Sequence, residues 1–213
     1  MKTRIEKFYD YIEARGWKCK IISTGHLSEL RETILNYYNQ GFLDKALFRD
    51  QLSFFSFNPP PDIPDVRSII IVAVPTPQMQ IFCYWQGKRI PVVIPPTYVS
   101  YTKRTENIQG ILASWHQDEG YHLAPAKLPL KTIAVRSGLA HYGRNNICYV
   151  EEMGSFLQLV GVFSDLPSNG DSWQEPKMLG RCENCIACLR KCPTKAINND
   201  CFQNKKPGIK RRL

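Results

Sequence analysis

Cys182, Cys185, Cys188 and Cys192, with Pro193 directly after them, form the run C-x2-C-x2-C-x3-C-P. Four thiols within eleven residues leave this stretch little freedom. Two-residue spacings let three thiolates converge on one metal group from a tight loop. The proline starts a new local structure and turns the fourth cysteine away. This is the ligand run of a [4Fe–4S] cluster. Structural zinc sites pair two C-x2-C units across a longer gap, which fits this segment poorly. Cys182, Cys185 and Cys188 are therefore expected metal ligands. Cys192 is the expected fourth, since a free thiolate beside an anionic cluster is unfavourable. Cys201 or an exogenous group remains open as the alternative.

The chain has 213 residues, enough for one domain with its own core plus a small appendage. No apolar run is long enough to cross a bilayer. The start, Met1-Lys-Thr-Arg-Ile-Glu-Lys, lacks the apolar stretch of a secretory signal. A cytoplasmic location is the expectation. Cys19, Cys83, Cys148 and Cys201 are scattered without a disulfide framework, which agrees with it. Net charge is +9 and unevenly placed. Arg181, Arg190, Lys191 and Lys195 surround the cysteine run, where cations favour an anionic cluster. Lys205, Lys206, Lys210, Arg211 and Arg212 crowd the tail, either as solvated charges or as an RNA contact.

Along the chain, Ile5, Phe8, Tyr9 and Ile12 predict a helix closed by Gly16. Trp17–Ser23 reads as a strand, and a second helix is expected over 26–40. Consecutive prolines make 58–65 an extended linker. Ser68–Pro75 is continuously apolar, as in a strand buried on both faces. Segments 81–86 and 89–94 flank Gly87-Lys88 as a hairpin. A long helix is expected over 98–117, with Tyr98, Tyr101 and Trp115 in the core. A shorter helix follows over 130–136. Segments 146–150 and 155–164 read as a strand pair around Met153–Gly154. Cys83 and Cys148 are expected to act as small hydrophobes. The four histidines make no metal pair and fit packing or surface roles. Interleaved strands and helices give an α/β class, with α+β as the alternative, and a mixed sheet. The expected division is a body at 1–168 and a ferredoxin-like segment at 169–213.

The stretch Ala134-Val-Arg-Ser-Gly-Leu-Ala-His-Tyr-Gly-Arg-Asn-Asn146, then Gly154-Ser155, Ser164-Asp165-Leu166-Pro167 and the cysteine run continuing to Ile197, resembles the epoxyqueuosine reductase family. The resemblance runs from about Leu128 to Ile197. It implies a relation to reductive dehalogenases, a corrinoid (cobalamin) held in an α/β domain, and a module with two [4Fe–4S] clusters. It also implies an electron donor protein and a modified tRNA base as substrate. Carried onto this chain, Arg136, Gly138, Gly143, Arg144 and Asn145 are the expected corrinoid-facing residues. From the residues alone, the same loop also reads as a helix end and a tight turn.

The chain departs from the family in three places. The family's proton-donating acid falls near Ala124, where there is no carboxylate, which leaves water or Tyr142 as proton source. The continuation with further cysteines is absent before Leu213, and Cys201 comes too early to replace it. One cluster is thus expected, with epoxide reduction disfavoured. Three functions compete: a corrinoid-linked oxidoreductase, an iron–sulfur electron carrier or structural protein, and an RNA-binding relative.

Overall fold

The computed structural model describes residues 2–41, 43–170 and 172–197. Cys201 and the basic tail lie outside them. Helix α1 (Arg4–Glu13) starts at Thr3, whose hydroxyl accepts the Glu6 N–H while the Glu6 carboxylate accepts the Thr3 N–H. Strand β1 (Lys18–Ser23) leads through a 3-10 turn into α2 (Leu27–Asn39). The short α3 (Lys45–Leu47) and a π-helical turn at Phe48–Leu52 precede the proline-rich linker and β2 (Ser68–Pro75). A hairpin, β3 (Met79–Trp85) and β4 (Lys88–Ile94), is followed by α4 (Tyr101–Asp118), β5 (Leu123–Pro125) and α5 (Leu130–Arg136). Then come β6 (His141–Tyr142), β7 (Cys148–Tyr149), β8 (Leu157–Ser164) and α6 (Ala187–Lys191).

The main sheet has the order β1-β2-β8-β5. Its two central strands carry the sequence that demanded burial. In β2, Ile69, Ile71 and Ala73 face one layer with Leu27 and Leu30 of α2 and Ile133, Ala134 and Val135 of α5. Ile70, Val72 and Val74 face the other, with Phe8 and Ile12 of α1 and Ile108, Leu112 and Trp115 of α4. Helices therefore cover both faces, so the continuous apolar run is read correctly as a doubly buried strand. Each isoleucine fully buried in this way contributes about 2–3 kcal/mol of transfer free energy.

The interleaved architecture stands, but the sheet is antiparallel throughout rather than mixed. Each chain reversal brings the returning strand beside its neighbour in the opposite sense. The only parallel pairing is the isolated bridge Tyr142↔Met178, among the described residues. The expected pairing of 146–150 with 155–164 is also corrected. β8 is buried along nearly its whole length and takes the central place beside β2. β7 pairs with β6 instead, leaving only the bridge Val150↔Gly154 at the expected turn.

Tyr98 and Tyr101 are exposed, not core. Ser100 takes the left-handed conformation (φ 47°), so α4 starts only after it and Tyr98 sits in a separate 3-10 turn. Trp115 is buried as expected. Cys148 is a buried hydrophobe, whereas Cys83 is exposed because its hairpin stands away from the core.

Candidate metal centre

The cysteine segment follows a strip after β8 that is fastened to the body at several described residues. Ser172 Oγ donates to Ser137 O at 2.8 Å, and the Gln174 N–H donates to Arg136 O at 2.8 Å. Trp173 packs on the core, and its indole N–H donates to Glu29 at 2.9 Å. Further on, the Tyr142 N–H donates to Lys177 O and the Leu179 N–H to Tyr142 O. These contacts lie on the C-terminal side of the expected boundary at 168, and the first cysteine element begins at Gly180.

Gly180–Cys182 is a 3-10 turn with Cys182 N bonded to Leu179 O at 2.8 Å. Cys188 lies in α6, and Cys192 ends it with extended backbone. Cys182, Cys188 and Cys192 are half-buried, Cys185 is exposed, and all four thiols are free. They are not drawn together: among the described residues no three His, Cys, Asp or Glu side chains are close enough to hold a metal ion. The donor chemistry nevertheless fits a cluster. The Cys192 thiol is pushed below its ordinary value, chiefly by the backbone N–H of Ile197, then by the Thr194 hydroxyl and the N–H groups of Thr194 and Ala196. Amide donors around a sulfur favour its thiolate, the form that binds metal. Arg181, Arg190, Lys191 and Lys195 are exposed around the run.

The Ser137–Asn146 segment takes its shape from backbone demands. Gly138 has φ +74°, a conformation that ends α5 without Cβ strain, and a Cβ there would come 2.9 Å from Gln174 Nε2. β6 and β7 form a small hairpin. Its turn is closed by Gly143 N to Ile147 O at 2.7 Å and by the Asn145 carboxamide oxygen accepting the Ile147 N–H at 3.2 Å. Gly143 is buried, and a Cβ on it would lie 2.5 Å from the Tyr149 ring. Arg144 leaves this turn sideways. Its guanidinium donates to Cys182 O at 2.9 Å and Glu183 O at 3.2 Å, clasping the first cysteine loop.

Arg136 is almost fully buried, paired with Glu29, 3.7 Å from Glu175 and stacked 4.9 Å over Trp173. Gly138 lines a cavity of about 600 Å³ with Tyr9, Trp17, Lys18 and His141. Arg136, Gly143, Arg144 and Asn145 make contacts within the protein. Ala124, at the family's acid position, lies in edge strand β5. Burial pushes the Tyr142 phenol up to about 12, so it stays protonated. The sequence reading missed the Glu29–Arg136–Trp173 contacts, which join residues 107 and 144 positions apart. The Arg144 clasp had one signal, an arginine at the tip of a tight turn.

Three sequences of similar enzymes align with part of the chain. Tetrachloroethene reductive dehalogenase of Sulfurospirillum multivorans is 36% identical over 64 residues, 30% of this chain and 13% of that protein. Epoxyqueuosine reductase of Cyclobacterium marinum is 36% identical over 67 residues, 32% of this chain and 21% of that protein. The enzyme of that name from Yersinia pestis is 31% identical over 67 residues, 32% of this chain and 15% of that protein. No family model matches. In three dimensions the likeness is wider. Epoxyqueuosine reductase of Streptococcus thermophilus superposes on 93% of this chain with TM-score 0.63 at 19% identity. An epoxyqueuosine reductase bound to a modified tRNA-Tyr stem loop superposes on 91% with TM-score 0.62 at 16% identity. The fold is that of the epoxyqueuosine reductases. The chain spans 55% and 52% of these two epoxyqueuosine reductase chains. No helix among the described residues is long and apolar enough to cross a membrane.

Proposed function

We propose that this chain is an iron–sulfur electron-transfer protein related to epoxyqueuosine reductases, holding one [4Fe–4S] cluster through Cys182, Cys185, Cys188 and Cys192. The carrying observation is the Arg144 guanidinium on the carbonyls of Cys182 and Glu183, which fixes the cysteine loop to the body. When bound, such a cluster supplies one-electron transfer. The protein's residues do the rest. The Cys192 surroundings hold a thiolate, Arg144 positions the loop, and the exposed cations at Arg181, Arg190, Lys191 and Lys195 favour an acidic donor protein. Corrinoid binding rests on the resemblance and finds no support in the five residues assigned to it. The test is anaerobic purification with iron, sulfide and cobalt analysis. About four irons per chain without cobalt fits the proposal. Zinc in place of iron, or no visible charge-transfer absorbance after reconstitution, refutes it.

A tRNA contact is a second proposal, supported by the net charge of +9 and by the neighbour seen with a tRNA stem loop. Binding through phosphates weakens steeply with salt. Salt-independent binding, or none, removes it.

A further inference from the structure

The β3–β4 hairpin stands out from the body. Among the described residues it joins no other sheet, and every residue from Met79 to Val93 is exposed. Side-chain alternation and the register divide it into two faces. Met79, Ile81, Ile90 and Val92 share one, each 38–46% exposed. Gln80, Phe82, Tyr84, Arg89, Pro91 and Val93 share the other. Only this second face combines two rings with a cation at its centre. Tyr84 is 75% exposed, and the Arg89 guanidinium lies 3.6 Å from the centre of the Phe82 ring. An isolated two-stranded hairpin is marginal in water and gains from a covered face.

Charge says what kind of partner fits. Residues 76–105 carry no acidic side chain. Lys88 and Arg89 at the hairpin tip and Lys103 in the first turn of α4 are exposed cations. Among the described residues none of the three is in an ion pair. The fourth cation, Arg104, donates to Pro75 O at 3.2 Å. Such a segment attracts an anionic partner and repels a cationic one. The rings narrow the choice further. An acidic protein would use the cations but has no need of two flat surfaces side by side. Unpaired bases use both, stacking on aromatic rings and guanidinium planes while their phosphates meet the cations. Phe82 and Tyr84 stand two residues apart on one face, about 7 Å at a rise of about 3.4 Å per residue. That leaves room for one base on each.

We infer that the Phe82–Tyr84–Arg89 face of the hairpin binds an unpaired segment of RNA. This rests on the RNA contact proposed above and gives it a surface separate from the basic tail. Tyr84 takes one base. The outer plane of the Arg89 guanidinium, backed by Phe82, takes its neighbour. Arg89 and Lys88 meet the flanking phosphates. Lys88 belongs to the other face, but it follows the two-residue turn Gln86-Gly87, and its long flexible stem brings the ammonium to the hairpin edge. Recognition of this kind tolerates sequence, because every base has a π-face, and requires that the bases be free of a duplex.

The test is fluorescence anisotropy of an end-labelled, unpaired RNA of about 12 nucleotides, titrated with the full chain. The same sequence as a duplex should bind more weakly. Tyr84→Thr, which keeps strand propensity, should weaken single-strand binding roughly 5–150-fold, the worth of one stacked base. Tyr84→Trp should restore it. Arg89→Lys keeps the charge and loses the plane, so affinity should fall while the salt dependence stays. Lys88→Ala should instead reduce the slope of log affinity against log salt by about 0.7. Ile81→Thr, on the opposite face, should bind as wild type, which separates stacking from loss of the hairpin. Wild-type binding unaffected by Tyr84→Thr overturns the inference and leaves the RNA contact to other residues. No salt-sensitive binding by wild type at tens of micromolar overturns both. Equal affinity for the duplex also overturns it. So does displacement by polyglutamate as effective as by unlabelled RNA, which would assign the surface to an acidic protein.

Discussion

Replacing Arg144 by alanine should loosen the cysteine loop while leaving the body intact. The side chain makes two charge-assisted hydrogen bonds, to Cys182 O at 2.9 Å and to Glu183 O at 3.2 Å. Each such bond contributes roughly 1.5–3 kcal/mol where it is shielded. The Glu183 contact is longer and solvent-exposed, so the pair together should hold the loop by about 2–3 kcal/mol. At about 1.4 kcal/mol per tenfold, the undocked population should rise roughly 30–150-fold. Hydrogen exchange reads this directly at two amides, Cys182 N, bonded to Leu179 O, and Leu179 N, bonded to Tyr142 O. Both should exchange faster in Arg144→Ala, and reconstituted protein should lose iron faster to a chelator. Amides of β2 and β8 should be unchanged, because the sheet does not depend on the clasp. Unchanged exchange at Leu179 and Cys182, or an equal acceleration throughout the sheet, would refute the idea that Arg144 acts as a local clasp.

Gly143→Val should lower thermal stability by about 1–3 kcal/mol, because its side chain would collide with the Tyr149 ring. The loss should be the same with and without cobalamin, checked by paired melting curves. Cys192→Ala should abolish full iron occupancy while Cys201→Ala retains it, measured by iron and sulfide analysis. His116 is buried in α4, its Nδ1 within 2.8 Å of Leu112 O, and burial lowers its pKa below 6.5. The unfolded chain therefore takes up a proton that the folded one resists. The stability from neutral His116 is complete above about pH 6.5 and is lost as pH falls through the lowered folded value, by up to about 1.4 kcal/mol per unit. Denaturant titrations of wild type and His116→Leu between about pH 7 and 5 should differ in slope, the variant being flatter.

The elements that sequence reading located best are those whose pattern is local. Phe8 and Ile12 fall at one helical spacing, α5 has the expected bounds, and Ile69–Pro75 of β2 form one uninterrupted apolar run. What failed depended on partners far along the chain. Nothing in 155–164 states that it pairs with 68–75 rather than with its near neighbour; that choice follows from burial of Val160, Val162 and Phe163 between two helical layers. Ser100 in the left-handed conformation starts α4 only at Tyr101 and leaves Tyr98 outside it, which sequence spacing does not reveal. In the candidate site, the cysteine run was plain from spacing, but the duties of Arg136 and Arg144 were not. A buried ion pair with Glu29 and a clasp on Cys182 both require folded neighbours that sequence spacing does not name.

The strip between β8 and the cysteine loop has a kinetic consequence. Left loose, 15 residues would let the loop explore a wide volume once undocked, and each return would carry the entropy of closing that whole segment. Anchorage at Ser172, Gln174 and Lys177 cuts the searching tether to the few residues after Lys177. A detached loop therefore stays at a high effective concentration near its seat. Opening should be brief and self-correcting. The half-buried Cys182, Cys188 and Cys192 would then become fully exposed only in short excursions, without the rest of the molecule having to unfold.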